Sequence, residues 1–434
     1  MILFSRKFLN KNRIKKIFFL FLILILIIFN PFILKYFSSD NNLGKSTINY
    51  IFTLDSFLLF TILTSYLFFY KKNKFKKVIT LLLIINITLL PIFLLYVIEG
   101  FIQIYINNIK FSNKSDSIAA HIQTFSKEYI PVPLYKNLKD VYKPLKNNYV
   151  NINNQGFRSY DFNQKKNKGE KRIIILGGST VFGYNVADKN TISNLVEKKY
   201  KNQNVKVFNL GMNNFDFEDQ INLLSIFFKE LNPDIIIFYH GINNLYGVYG
   251  QLLKDTQNKT YFKNIDTLNK FEKRILLIKE YLKKKTIYMI LFTYYKKHFP
   301  YEIDKNFENY NERINYYVNK NYIDLYKKTE KEFCNNIKCF FLLQPNVLHK
   351  KNRTFYENLL FNQFLANYPL IDTVYSDFYN KIIKKENKNI CDLRKIFNKK
   401  NENIFFDEVH VNGTGNLIIS KEIYNIINNK SKIC

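Results

Sequence analysis

Beyond residue 170 the chain is punctuated by short, almost wholly apolar runs: Arg172–Leu176 (RIIIL), Val205–Leu210 (VKVFNL), Asp234–Tyr239 (DIIIFY), Lys338–Leu343 (KCFFLL) and Asn389–Leu393 (NICDL). Runs of this length, rich in β-branched and aromatic residues, mark strands buried on both faces. Amphipathic stretches at about 190–201 and 217–231 separate the first three, and another at about 412–427 closes the chain. Strand and helix alternating at this spacing predict an α/β fold, a three-layer α/β/α domain around a mostly parallel central sheet. That domain is expected over 151–434, with a helical insertion at about 245–335. Within the insertion, Ile275–Tyr295 is short and bounded by lysines, and reads as a cap or core helix. Residues 99–150, carrying Pro131 and Pro133, are expected to form an irregular stalk packed on the domain behind them.

The N-terminal pattern is different. Three longer apolar runs, at about 17–34, 51–70 and 78–98, suit the roughly 20 residues a bilayer core requires, and predict an anchor of three transmembrane helices over 1–98. Arg6, Lys7, Lys11, Arg13, Lys15 and Lys16 precede the first run, which lacks the short apolar core and small-residue cleavage site of a signal peptide. Lys71, Lys72, Lys74, Lys76 and Lys77 separate the second from the third. Loops rich in Lys and Arg stay in the cytoplasm, so the N-terminus is expected inside and everything after about residue 98 outside. The protein would then be integral to the cytoplasmic membrane, its main domain periplasmic in a cell with two membranes.

Charge and cysteine usage change this picture little. The 434 residues hold 65 Lys and Arg against 35 Asp and Glu, a formal charge of +30. Such a surplus favours anionic partners. The lysines nevertheless run the whole length of the chain and no nucleic-acid-binding motif accompanies them, so the reading is a solvated basic surface without nucleic acid. Cys334 and Cys339 flank a short turn, where an oxidising compartment would allow a bridge. Cys391 lies in a strand-like run and reads as a small core residue, while Cys434 ends the chain. No cysteine spacing matches a zinc site, and no metal or cofactor is expected.

In an open α/β sheet, reacting groups gather on the loops after the strands. Here those loops carry Gly177-Gly178-Ser179-Thr180, then Gly211, then Gly241-Ile242-Asn243-Asn244, and just before the last helix Asp407-Glu408-Val409-His410. A phosphate-binding reading of the first turn fails, because Tyr184 stands where a P-loop needs Lys. The G-x-S-x-G elbow fails as well, because Val181 takes the last glycine position.

In their order these four loops resemble the sequence blocks of the SGNH (GDSL-like) serine hydrolases, over roughly Tyr149–Asn428. The resemblance implies a flavodoxin-like fold, with Ser179 as nucleophile and Asp407 and His410 completing the triad. It also implies an oxyanion hole built from Ser179, Gly211 and Asn243. Asn154-Gln155-Gly156-Phe157-Arg158 looks like a segment that precedes this domain in membrane-linked members. Two positions depart from the pattern: Gly178 replaces the usual Asp of the first block, and Asn244 the Asp that often follows the third-block Asn. Neither must ionise during acyl transfer.

The residue types suit that chemistry independently. An ester carbonyl needs a nucleophile, a base and donors for the developing oxyanion. A serine on a glycine turn can project its hydroxyl, an imidazole titrating near neutrality can take its proton, and a carboxylate three residues away can orient the imidazole. Gly178, His240, Asn244 and Gln344 are expected to line the pocket. The function expected is a membrane-anchored serine esterase acting on an O-acetylated surface glycan or lipid-linked saccharide. An O-acyltransferase with a membrane-bound acyl-transfer or export partner, and a non-catalytic glycan-binding or assembly protein on the same scaffold, are the alternatives.

Overall fold

The computed structural model describes residues 45–70, 113–125, 130–133, 140–162, 165–255, 309–368, 371–385 and 389–434, with isolated positions elsewhere. The chain divides into two units, 1–108 with 285–287, and 109–284 with 288–434. Most of the helical insertion, including the expected helix at 275–295, lies outside the described residues.

In the first unit, helix α1 (Lys45–Tyr70) covers the second predicted apolar run. The Ser56, Thr61 and Thr64 hydroxyls donate to carbonyls one turn back, at Phe52, Phe57 and Phe60, so these polar groups need no outside partner. Phe52, Leu59, Phe60 and Leu63 are exposed. The first and third runs lie almost entirely outside the described residues, and the side chains described on α1 stop at residue 64. Among the described residues no helix is long and apolar enough to cross a membrane.

The second unit opens with α2 (Lys114–Phe125), started by Asn113, whose Oδ1 accepts the Asp116 N–H at 3.0 Å. The stalk region is therefore not irregular here: an Asn cap and an apolar face at Ile118, Ala119 and Ile122 suffice for three turns. A small antiparallel pair follows, β1 (Pro131–Pro133) with β2 (Asp140–Tyr142).

Beyond it run β3 (Lys171–Gly177), a short helix α3 (Ser179–Phe182), α4 (Ile192–Glu197), β4 (Val205–Gly211), α5 (Phe217–Leu231), β5 (Ile235–His240) and α6 (Ile242–Asp255). The C-terminal part adds α7 (Tyr310–Val318), α8 (Asp324–Phe333), β6 (Lys338–Leu343), α9 (Phe355–Asn367), α10 (Ile371–Lys385), β7 (Ile390–Asp392) and α11 (Gly413–Ile427). The strands form a parallel five-stranded sheet in the order β4-β3-β5-β6-β7. Each of the five coincides with one of the predicted apolar runs to within a residue or two.

Strand order reverses at β3, since β4 lies on one side of it and β5 on the other. Right-handed crossovers then place the connecting helices on opposite faces and open a crevice where β3 and β5 end. Helix α5 illustrates the packing. Phe217, Ile221, Leu224, Phe227 and Leu231 recur every three or four residues and are buried. A reciprocal cap between Asp216 and Asp219 starts the helix. Arg172, fully buried at the start of β3, pairs with Glu170 at 2.7 Å and donates to the Leu231 carbonyl at the helix's far end.

Two disulfides close the sheet's margins. Cys334 and Cys339 are bonded across the turn into β6, their Cα atoms 5.7 Å apart. Cys391 is not the lone core residue expected from its apolar run. It is bonded to Cys434, because the C-terminal tail returns alongside β7, where the Asp392 N–H donates to the Ile433 carbonyl.

Candidate active site

Register fixes the starting point. Gly177 pairs with Gly211 on one side and Tyr239 on the other, so three strands end level with one another. Ser179 begins α3 at that level, with Gly178 as its cap. The turn after α3 is held from outside the sheet. Gly183 adopts the left-handed conformation, φ 89°. Its carbonyl accepts from the guanidinium of Arg158 at 2.7 Å and from the Gln123 amide at 3.2 Å. Arg158 is buried and also pairs with Asp188. Asp116 of α2, wholly buried, accepts the Ala187 N–H at 2.9 Å. The Asn-Gln-Gly-Phe-Arg segment and α2 thus brace the loop behind the serine.

The last loop arrives from the other end of the chain. His410 Nε2 lies 2.6 Å from Ser179 Oγ, and its Nδ1 lies 2.7 Å from Asp407 Oδ2. The other oxygen of Asp407 accepts the backbone N–H groups of Val409 and His410 at 2.9 and 2.6 Å. Burial alone would raise this carboxyl. The charge and ring N–H of His410, with the two backbone donors, outweigh it and hold Asp407 below the usual carboxylate range. An ionised Asp407 accepts a hydrogen bond from Nδ1–H, and in the neutral ring this leaves Nε2 as an acceptor facing the serine hydroxyl.

This loop is held by charge buried beneath it. Lys350 and Glu357, both fully buried, pair at 2.5 Å. Glu357 Oε1 accepts the Ile404 and Phe405 N–H groups, and Lys350 donates to the Glu402 carbonyl. The Tyr356 hydroxyl donates to the Phe406 carbonyl. Above it, the His410 ring lies 5.6 Å from Phe406 in a near-parallel stack and 4.7 Å from Tyr184.

Asn243 reaches the same place. Its side-chain amide donates to the Phe215 carbonyl at 2.7 Å. A Cβ on Gly178 would stand 2.8 Å from that nitrogen, so the glycine at this position leaves room for Asn243 beside Ser179.

Four other expected site residues are placed differently. Gly211 is not offered to the serine as a donor: its N–H is taken by Asn209 Oδ1 at 2.9 Å. The glycine serves close packing, since a Cβ there would stand 2.1 Å from the Phe182 nitrogen. His240 is not a pocket residue. It is 2% exposed, bonded through Nε2 to the Tyr322 hydroxyl and packed edge-on against Phe217, and burial lowers its pKa to about 3. Gln344 is buried behind the site rather than on its rim, donating to Thr180 Oγ1 at 3.0 Å. Asn244 is also buried and donates to the Asn321 carbonyl.

The residues unforeseen from the pattern are mainly supports. Asn209 bridges β4 to α3, accepting from Gly211 and donating to the Val181 carbonyl. A polar residue at the buried end of an otherwise apolar strand was the only available signal. Glu357 was marked only as the Glu of a Thr354-x-x-Glu357 capping box, which points to a helix start and not to the loop it holds, and Lys350, Tyr184 and Phe406 gave no signal. Among the described residues, no group of three or more His, Cys, Asp or Glu side chains could hold a metal ion.

No family model matches the sequence, and no curated protein matches it. Solved structures align at low similarity. An acetyl xylan esterase is 14% identical over 59% of this chain and 99% of its own, with a TM-score of 0.33. A catalytic mutant of an acetylxylan esterase from Geobacillus stearothermophilus is 13% identical over 60% and 95%, with a TM-score of 0.32. A member of the lipolytic G-D-S-L family from Veillonella parvula is 11% identical over 59% and 97%, also at 0.32.

Proposed function

We propose that this chain is a membrane-anchored serine esterase that removes an O-acyl group, acetyl in particular, from a surface glycan or lipid-linked saccharide outside the cytoplasm. The observation that carries the chemical part is the continuous relay from Ser179 Oγ through His410 to Asp407. His410 takes the hydroxyl proton as Oγ bonds to the ester carbonyl carbon. The negative charge moves to the carbonyl oxygen, towards the Ser179 N–H and the second amide hydrogen of Asn243. His410 then returns its proton to the departing alcohol, leaving an acyl-serine. Water attacks that ester by the same route, releases the carboxylic acid and restores the serine.

The anchoring part is supported by the three apolar runs with their basic flanks, and by the exposed apolar side chains of α1. Glycan as substrate is the expectation attached to an esterase tethered on that side.

The test uses the full chain purified in detergent, assayed on p-nitrophenyl acetate and labelled with a serine-reactive phosphonate. Hydrolysis and labelling at Ser179, both lost in Ser179→Ala, are expected. An unlabelled but folded wild-type protein with no esterase activity would overturn the reading. A reporter fused after Lys110 tests the anchor separately, and cytoplasmic reporter activity would refute the proposed topology.

A further inference from the structure

Resting on the esterase reading, we infer that Tyr246, Tyr368 and Glu408 form a subsite for the alcohol half of the ester, and that it takes a neutral, hydroxyl-bearing sugar ring.

Tyr246 lies one helical turn beyond Asn243 on α6, so the two share a face. Its ring stands 5.3 Å from Tyr368, just past the end of α9, and 6.2 Å from Phe364, whose ring is in turn 5.5 Å from Tyr368. Tyr249, a further turn along α6, extends the cluster to Tyr368 at 5.9 Å. Glu408 follows Asp407 directly, its backbone carbonyl pinned by the Val347 N–H at 3.0 Å. Glu408, Tyr246 and Tyr368 are all half-buried.

Ordinary packing explains Phe364 and Tyr249, which are buried. It does not explain Glu408. The chain holds 65 Lys and Arg against 35 acidic residues, yet among the described residues no side chain forms an ion pair or hydrogen bond with this carboxylate, which is bonded to its own backbone N–H. Its immediate neighbour is another carboxylate, and burial together with the Asp407 charge raises its pKa. The electrostatic influence of Glu408 reaches the phenols of both Tyr246 and Tyr368. An aromatic shelf edged by this acceptor is suited to a sugar: ring C–H groups lie on the aromatic face, and hydroxyls donate to the carboxylate. A long acyl chain would meet unpaired polar groups here. An anionic sugar would meet two carboxylates, whatever attraction the +30 chain exerts at a distance.

The experiment measures kcat/KM of the full chain on partially O-acetylated xylo-oligosaccharides, on partially O-acetylated oligogalacturonides, and on p-nitrophenyl acetate. The neutral oligosaccharide should be preferred to the anionic one. Tyr246→Ala should lower the ratio of neutral-sugar to aryl-acetate kcat/KM about tenfold, mainly through KM, and Tyr246→Phe should restore most of it. Glu408→Gln should narrow the neutral-over-anionic preference by about tenfold. Ratios unchanged within about twofold, or a wild-type preference for the anionic sugar, would overturn the subsite while leaving the esterase standing. Absence of hydrolysis on all three substrates, together with no phosphonate labelling, would remove the esterase reading and this subsite with it.

Discussion

The two loops that meet at Ser179 and His410 are held by different means. The serine turn leaves a buried parallel strand and is fixed by many separate contacts: Asn209, Gln344 and the backbone of β4, with the Arg158–Asp188 pair and Asp116 bracing the loop behind it. The His410 loop leaves no regular strand and is fixed from beneath by the fully buried pair Lys350 and Glu357. A sheet already positions its own loop ends, so there no single contact has to carry the turn. A loop without that support needs a stronger acceptor, and an ionised carboxylate taking two backbone N–H groups supplies it. The stability of the His410 loop should therefore depend on one ion pair, while that of the Ser179 turn is spread over many contacts.

Removing the meeting point itself should have the largest effect. Ser179→Ala and His410→Ala should each lower p-nitrophenyl acetate turnover by at least about 10³-fold, and the double variant should be little worse than either. Thermal unfolding of the same samples should show the fold intact; a single variant with near wild-type turnover would break the assignment.

Next in size is the support beneath His410. Glu357→Gln leaves Lys350 charged and unpaired in the interior and should cost about 3–5 kcal/mol of stability, read by urea unfolding. Adding Lys350→Met should recover only part, because the Ile404 and Phe405 N–H groups still lack their carboxylate. Full recovery would show that the pair does not hold the loop.

On the serine side, Asn209→Ala should cost less, about 1–3 kcal/mol, since it leaves the Gly211 N–H and the Val181 carbonyl without partners but no stranded charge. A loss equal to that of Glu357→Gln would erase the contrast between the two loops.

A pH series gives the smallest effect. His240, at the end of β5, is kept neutral by burial, its pKa lowered from 6.5 to about 3. An unfolded chain takes up a proton near pH 6.5 that the folded chain refuses, so stability is present above that pH and falls as pH drops towards about 3. Between pH 6.5 and 5 the loss should be on the order of 1–2 kcal/mol. His349, lowered to about 4, adds to it in the same direction. His240→Gln should flatten the urea-unfolding profile over that interval, whatever it does to absolute stability; a slope identical to wild type would mean that His240 titrates normally.

Most of the sheet was legible because burial on both faces leaves a plain mark: five apolar runs became five strands. The meeting of Ser179, His410 and Asp407 was legible too, since they sit on loops whose residue types have few other uses together. His240 and Gly211 were misplaced for a shared reason. Each lies at the correct strand end, but whether a side chain or N–H turns towards the crevice or into the core depends on its neighbours. The Tyr322 hydroxyl claims His240, and Asn209 claims Gly211.

Local sequence determined which segments form the five strands of the sheet and which short loops follow them, because those properties depend on period, caps and turn residues within a few positions. Only the tertiary structure decided that Glu357, paired with Lys350, holds the backbone of the His410 loop, that Cys391 meets Cys434, and that Tyr246 of one helix packs against Tyr368 past the end of another. Such pairings follow from packing between distant segments, and a charge or thiol with no local periodicity gives no sign of its partner until the chain has closed around it.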